Sequence, residues 1–100
     1  MNKNLVEISA KQSLIQKFCK KYGIVFLGVF GSFVRDEAKD TSDIDILVKF
    51  ERVGGLLEFI GAEQELSNLL GRKVDLVEEK GIPELLKGRI KKEIVPIYGK

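Results

Sequence analysis

The stretch from Gly31 to Val48 reads G-S-F-V-R-D-E-A-K-D-T-S-D-I-D-I-L-V, and it joins two predicted strands of the sheet. Near its end, Asp43 and Asp45 stand one residue apart at the start of an apolar run. Side chains of a strand alternate between its two faces, so both carboxylates are expected on the same side. Carboxylate oxygens are the ligands that Mg²⁺ prefers. The pair therefore indicates a divalent-cation site at the start of a strand.

The beginning of the same stretch supplies groups that suit phosphate. A Gly31–Ser32 turn that leads into a helix offers backbone N–H groups and a hydroxyl. Arg35 follows Ser32 by three residues, and a guanidinium matches phosphate oxygens in pairs. The alternative for Arg35 is a surface ion pair with Asp36 or Glu37. Together with the two aspartates, these residues predict a site for a nucleoside triphosphate and its metal.

A third carboxylate, Asp75, lies in the apolar segment K-V-D-L-V. On the same sheet face as Asp43 and Asp45, it would complete a metal shell and accept a proton from an attacking hydroxyl. The alternative is a solvated residue on an edge strand, and an isolated D-x-D is typical of a half-exposed strand. Asp is depleted in strands, however, and Ile44 and Ile46 demand a buried opposite face. The functional interpretation is therefore favoured.

Composition excludes several classes of chemistry. The 100 residues are expected to form one domain, 1–100, and the net charge of +2 does not indicate direct nucleic-acid binding. The absence of histidine excludes a Ser-His-Asp triad and a His-ligated zinc. A single cysteine, Cys19, excludes an internal disulfide and fits a cytoplasmic location. The longest apolar run, 24–30, is too short to span a membrane, so no membrane association is expected.

Caps, glycines and apolar periodicity predict the order α-β-α-β-α-β-α. Four helices are predicted. The first is capped by Ser9 and Gly23, and the second is short, from Ser32 to about Ala38. The third begins at Leu56 and is ended by Gly71, and the fourth begins at Pro83, is interrupted or kinked at Gly88 and is ended by Pro96. The predicted strands are Ile24–Phe30, Asp43–Phe50 and Lys73–Glu78. A polar turn is expected at Lys39–Ser42, and Ile97 and Tyr98 are expected as a tail.

The candidate site constrains the topology. Gly31 and Ser32 follow the first strand, whereas Asp43 and Asp45 begin the second. For both pairs to contact one triphosphate, these two strands must run antiparallel. The second and third strands are joined by a long helix and are expected to be parallel. The prediction is an α+β fold, α/β-like in its helix and strand alternation, with a small mixed sheet flanked by helices.

Two further groups of side chains have predicted locations. The phenylalanines are predicted to be core: Phe18, Phe26, Phe30, Phe33, Phe50 and Phe59. Phe33 has the alternative of an exposed ring stacked on a base. The basic stretch formed by Lys87, Arg89, Lys91 and Lys92 is predicted to be a solvated helix face, with contact to a phosphate or an acidic partner as the alternative.

The spacing of G-S, ten residues and then D-x-D resembles the signature of the nucleotidyltransferase superfamily that includes DNA polymerase beta. The whole run from Gly31 to Val48, with the V-D-L-V strand and the closing R-I-K-K-E-I-V-P-I-Y, resembles the minimal nucleotidyltransferase (MNT) branch. Those proteins are stand-alone domains and often the antitoxins of HEPN/MNT toxin–antitoxin pairs. One departure is Asp36, where many relatives have glycine.

The resemblance implies a polymerase-beta-like nucleotidyltransferase fold and a function. The implied nucleotide-binding residues are Gly31, Ser32, Arg35 and Ser42, and the implied catalytic residues and ligands of two Mg²⁺ ions are Asp43, Asp45 and Asp75. The implied reaction transfers AMP from ATP to a tyrosine hydroxyl of a HEPN toxin, within a hetero-oligomer. Two alternatives stay open: an antitoxin that acts by binding alone, and a subunit of a nucleotidyltransferase that modifies a small molecule such as an aminoglycoside.

Overall fold

The computed structural model describes residues 3–39, 42–52 and 54–99, which form four helices and a four-stranded sheet. The helices are α1 (Lys3–Ser9), α2 (Gln12–Tyr22), α3 (Leu56–Leu70) and α4 (Glu84–Glu93). The strands are β1 (Ile24–Phe30), β2 (Ile44–Phe50), β3 (Val74–Glu78) and β4 (Val95–Tyr98). Asp40 and Thr41, which belong to the predicted polar turn, lie outside the described residues. The predicted α+β class is confirmed.

The sheet is mixed, with the strand order β3-β2-β1-β4. Strands β1 and β2 are antiparallel, and β2 and β3 are parallel. Both relations confirm the topology that was expected from the site. The long helix α3 allows the chain to return to the start of the sheet, as a parallel crossover requires.

Strand β4 corrects the prediction of a tail after Pro96. The segment Val95–Tyr98 pairs antiparallel with β1 at the edge of the sheet. Proline is tolerated in an edge strand, and the residue before it is pushed toward extended backbone, so Pro96 suits this position. Helix α4 ends before it, with Ile94 already extended, and runs without interruption through Gly88.

The N-terminal half also differs from the prediction. Ser9 is the last residue of α1 and not an N-cap, because its hydroxyl donates to the Leu5 carbonyl at 3.0 Å. Helix α2 runs from Gln12 to Tyr22, and the left-handed φ of 66° at the following Gly23 confirms the predicted C-cap.

The predicted helix from Ser32 to about Ala38 is reduced to a 3₁₀ turn at Gly31–Phe33. The backbone of Asp36 has a φ of 58°, which is incompatible with a continuing right-handed helix. A left-handed residue at this position favours glycine, and aspartate is among the side chains that tolerate it. The conformation is therefore compatible with the Asp36 of this chain.

The two faces of the sheet differ in what covers them. One face of β2 packs Ile44, Ile46 and Val48 into a large core with residues of α2 and α3. The other face carries Leu47 in a smaller cluster with Phe26, Ile82 and Ile90; Ile90 belongs to α4. Since faces alternate, Asp45 lies on the second face, and the predicted buried opposite face is confirmed.

Helix α3 confirms its predicted bounds and its Gly71 cap, but not its whole apolar face. Ala62 and Leu66 are buried, whereas Leu56 is 74% exposed and Ile60 is 46% exposed.

The predicted aromatic core is confirmed, because all six phenylalanines are buried or packed against the two clusters. Phe33 is buried, so the alternative of an exposed ring at the site is wrong. None of the helices in the described part of the chain has the length and apolar character needed to cross a membrane.

Candidate active site

The register of β2 and β3 brings two of the predicted carboxylates together. Asp45 is the direct partner of Asp75 across the parallel pair, and Asp43 lies immediately before β2. Asp43 and Asp75 are exposed, whereas Asp45 is half-buried. Three acids separated by up to 32 residues in sequence therefore lie at the same end of the sheet.

Asp45 lies at the electrostatic centre of this group. Burial raises the pKa of its carboxyl above the ordinary 3.8, and the negative charges of Asp75, Asp43 and Glu93 raise the pKa further. The guanidinium of Arg35 acts in the opposite direction and lowers it. A cation beside Asp45 would relieve this repulsion, so the local field favours a bound positive charge.

The donor chemistry fits magnesium, since all three side chains offer carboxylate oxygens. Within residues 3–39, 42–52 and 54–99, however, no three such side chains are gathered closely enough to hold a metal ion. Asp43 instead faces Lys73, with 3.8 Å between Oδ2 and Nζ. Mutual repulsion gives a physical reason for the spread arrangement, and side-chain rotation would be needed to bring the oxygens together.

Gly31 touches the central carboxylate. It follows β1, whose last residue Phe30 pairs with Asp45, and its φ is 80°. A Cβ at this position would collide with Oδ2 of Asp45. The predicted adjacency of the Gly31 turn and the aspartates is thus confirmed, and glycine is required both by the backbone conformation and by the contact.

The turn after Gly31 is held by its own backbone. The amides of Val34 and Arg35 donate to the Gly31 carbonyl at 3.1 and 3.2 Å, and the Glu37 amide donates to the Ser32 carbonyl at 2.9 Å. The Ser32 side chain is half-buried, and its hydroxyl has no hydrogen-bond partner among the described residues. A hydroxyl of this kind is a suitable phosphate ligand, so that role for Ser32 stays a prediction.

Arg35 is held by two glutamates. Its Nε donates to Glu37 Oε1 at 2.6 Å, and its Nη1 donates to both oxygens of Glu93 at 3.1 and 2.9 Å. The surface pair with Glu37 was among the alternatives drawn from the sequence. Glu93 was not singled out, because it approaches the site only through the pairing of β4 with β1.

Ser42 serves the turn that carries Asp43. Its hydroxyl accepts the Lys39 amide at 2.8 Å, and its own amide donates to the Lys39 carbonyl at 3.0 Å. Arg72 donates from Nη1 to the carbonyls of Lys39 and Ser42 at 2.7 and 3.3 Å, and its guanidinium lies over the Phe33 ring at 4.9 Å. Arg72 was missed from the sequence, and a nucleotide contact by Ser42 stays a prediction.

Comparison with known proteins identifies the family. A family model described as a nucleotidyltransferase domain matches residues 11–97. The chain belongs to the nucleotidyltransferase domain family. This assignment confirms the resemblance seen in the sequence and places the protein among nucleotidyltransferase enzymes.

Individual proteins similar to this chain support the same family assignment. The protein adenylyltransferase MntA of Thermococcus cleftensis is 45% identical over 76 residues, covering 76% of this chain and 77% of that protein. A solved structure, proposed to be a minimal nucleotidyltransferase, is 37% identical over 87% of this chain and 89% of its own, with a TM-score of 0.73. The structure of a tri-AMPylated Shewanella oneidensis HEPN toxin in complex with its MNT antitoxin has a TM-score of 0.67 at 20% identity, covering 93% and 73% of the two chains. The last of these matches shows the shared fold.

Proposed function

We propose that this nucleotidyltransferase transfers AMP from Mg²⁺-bound ATP to a tyrosine hydroxyl of a HEPN toxin, and so acts as the antitoxin of a pair. The observation that carries the proposal is the meeting of Asp45 with Asp75 and Gly31 at one end of the sheet. Support for AMP as the transferred group comes from the name of the Thermococcus relative, a protein adenylyltransferase. Support for the partner comes from the AMPylated toxin seen with the similar MNT fold.

In the proposed reaction, the acceptor oxygen attacks the α-phosphorus of ATP, the bond from that phosphorus to the bridging oxygen of the β-phosphate breaks, and pyrophosphate leaves. Asp75 is exposed beside Asp45 and would receive the proton of the acceptor hydroxyl. Magnesium held by Asp43, Asp45 and Asp75 would neutralise the charge of the triphosphate. Gly31 leaves room for the backbone to approach phosphate, while Ser32 and Arg35 would bind its oxygens.

The partner would supply much of the acceptor surface. The described chain offers an open sheet end with exposed Asp43 and Asp75. A protein acceptor would close this end and exclude water from the reacting atoms. Assembly into a hetero-oligomer with the toxin belongs to the same proposal. The cytoplasmic location expected from the sequence stays a prediction.

The test uses the double variant Asp43→Asn with Asp45→Asn, co-expressed with the proposed HEPN toxin partner. The native chain is expected to add mass to the toxin in units of AMP, measured by intact-protein mass spectrometry, and the variant is expected to add none. Asp36→Asn is the matched control, because it removes an exposed carboxylate without touching the proposed metal ligands. It is expected to keep the activity.

Protection of cells separates the alternatives. If protection requires the transfer, the double variant should bind the toxin and yet fail to protect. Unmodified toxin with both chains, together with full protection by both, would contradict the proposal and establish an antitoxin that acts by binding. Transfer of AMP to an aminoglycoside, with an unmodified protein partner, would establish the small-molecule enzyme.

A further inference from the structure

Glu93 is brought to the candidate active site by the last strand of the sheet. It is the final residue of α4, and β4 begins two residues later at Val95. Val95 pairs with Val29, close to the end of β1 from which the Gly31 turn departs. The α4–β4 connection therefore places Glu93 beside the segment that carries Ser32 and Arg35.

The contact between Glu93 and Arg35 is close and shielded. Both Glu93 oxygens accept from Arg35 Nη1, at 3.1 and 2.9 Å, and the Glu93 side chain is 14% exposed. The second partner, Glu37, is 61% exposed at its side chain. The bond to Glu37 is shorter, at 2.6 Å, but Glu93 is the more shielded partner and accepts with both of its oxygens, so its contact with the guanidinium is less weakened by solvent.

The local helix does not account for a carboxylate at this position. The C-terminal end of a helix carries partial negative charge, which disfavours an acidic residue there. Arg89, one turn earlier on α4, lies 3.8 Å from Glu93 and offsets part of this cost. The negative charge also adds to the repulsion around Asp45. Residues that break a local rule at such cost are expected at functional sites.

We propose that Glu93 is a positioning residue that aims the Arg35 guanidinium at the triphosphate. Glu93 and Glu37 engage Nη1 and Nε, and within the described residues Nη2 has no partner. The guanidinium is thereby fixed on one side while a nitrogen with two hydrogens stays available for phosphate oxygens. This inference rests on the proposed function, since it assigns Arg35 to the nucleotide.

The test measures the affinity for Mg–ATP by calorimetry and the values of kcat and KM for ATP in five chains. They are the native chain, Arg35→Ala, Glu93→Ala, Glu93→Gln and the double variant Arg35→Ala with Glu93→Ala. Arg35→Ala is expected to weaken binding by roughly tenfold or more, as loss of a charged hydrogen bond does. Glu93→Ala is expected to weaken it by about three- to tenfold through KM more than kcat, and Glu93→Gln to recover part of the loss.

The double variant decides between positioning and an independent role. If Glu93 acts through Arg35, removal of Glu93 should change nothing further once Arg35 is gone. An equal loss in the Arg35→Ala background, an unchanged affinity in Glu93→Ala, or tighter binding in that variant would each overturn the inference. Glu84→Ala, at the exposed start of α4, is the control for removing a glutamate from this helix.

Two further results keep the outcomes separate. If Glu93→Ala does not fold, as shown by circular dichroism, Glu93→Gln carries the comparison, and an affinity equal to that of the native chain overturns the inference. If the native chain binds ATP and transfers AMP and Glu93→Ala is equally active, only the inference about Glu93 is contradicted. The proposed function then stands. A native chain that binds no Mg–ATP contradicts the proposed function and the role of Glu93 with it.

Discussion

At Asp45, the stability of the fold and the chemistry of the site make opposite demands on one carboxylate. Burial and the nearby charges of Asp75 and Asp43 raise its pKa, so its ionised form is disfavoured in the folded protein. The ionised form is nevertheless the one that binds a cation. The backbone of Gly31 lies against this carboxylate, so that a Cβ at position 31 would collide with it.

The raised pKa of Asp45 predicts that Asp45→Asn increases the stability of the fold by an amount that depends on pH. The folded-state pKa lies above the ordinary 3.8, so the folded state binds more protons in that window and loses stability as pH rises through it. The amide does not titrate. Without metal, the variant should be more stable than the native chain at pH 7, and this difference should shrink as pH falls to about 4. Urea unfolding at both pH values measures it, and an equal difference at both would contradict the assignment.

Gly31→Ala is expected to damage both stability and nucleotide binding. The left-handed backbone costs a Cβ-bearing residue about 1–2 kcal/mol, and the collision with Asp45 adds to this. Gly55→Ala is the matched control, because Gly55 has a φ of −78° and a Cβ there would meet no atom within 4 Å in the described structure. Denaturant unfolding and ATP titration of both variants check the prediction. Equal effects of the two substitutions would show that the Gly31 contact is unimportant.

At the level of elements, α3 secures the strand that carries Asp75. The Val74 amide donates to the Ser67 hydroxyl at 2.9 Å, and the Leu76 amide donates to Glu63 Oε2 at 2.8 Å. Strand β3 is at the edge of the sheet, where unpaired amides would otherwise face solvent or another chain. The two amides on either side of Asp75 are thus satisfied by side chains of one helix.

Ser67→Ala should therefore loosen β3. Loss of this bond leaves a partly buried amide without its acceptor, at a cost of about 1–2 kcal/mol. Hydrogen exchange of the Val74 amide should become faster. Asn68→Ala, on the exposed side of the same helix, is the control and should leave that rate unchanged. Unchanged exchange in Ser67→Ala would mean that pairing with β2 alone holds the strand.

Gly88→Ala should stabilise α4. Gly88 lies inside the helix, its φ is not in the left-handed region, and a Cβ there would contact no atom within 4 Å among the described residues. Alanine in a helix interior is favoured over glycine by about 0.5–1 kcal/mol, which corresponds to a rise in Tm of roughly 4 °C. Calorimetry tests this, and a lower Tm would show that the helix needs the flexibility of glycine at this turn.

At the level of the whole molecule, one end of the sheet collects the carboxylates while the rest of the fold holds them in place. The antiparallel β1–β2 pair places Gly31 against Asp45, and the parallel β2–β3 pair places Asp75 beside it. A ligand that neutralises this end should stabilise the entire fold, because binding to the folded state alone shifts the unfolding equilibrium.

Mg–ATP is accordingly expected to raise Tm. At a concentration about 100 times Kd, linkage adds about 2.7 kcal/mol, which for a domain of this size is roughly 10 °C or more. A thermal-shift series with Mg²⁺, with ATP and with both measures the effect. The Asp43→Asn, Asp45→Asn double variant should lose the shift that depends on metal. A native chain without any shift at millimolar Mg–ATP would favour an antitoxin that acts by binding.

Local chemistry determined much of this protein from the sequence alone. The continuous apolar run predicted β1 at Ile24–Phe30, and glycine predicted the ends of α2 and α3, because left-handed backbone has a strong residue preference. The D-x-D spacing and the G-S turn predicted which strand ends must meet. That prediction required only the period of a strand and the need for one ligand to reach both motifs.

Tertiary structure alone decided the rest. Several contacts join residues that are far apart in the chain. They are the pairing of β4 with β1, the ion pair between Arg35 and Glu93 across 58 positions, and the hydrogen bond from Arg72 to the Lys39 carbonyl. No local sequence pattern specifies such contacts, because charged side chains are also well solvated when they face water. Leu56 is likewise 74% exposed, although the apolar periodicity of α3 placed it on the same face as the buried Leu66. Apolar periodicity reports which residues share a face, and only packing decides how much of that face is covered.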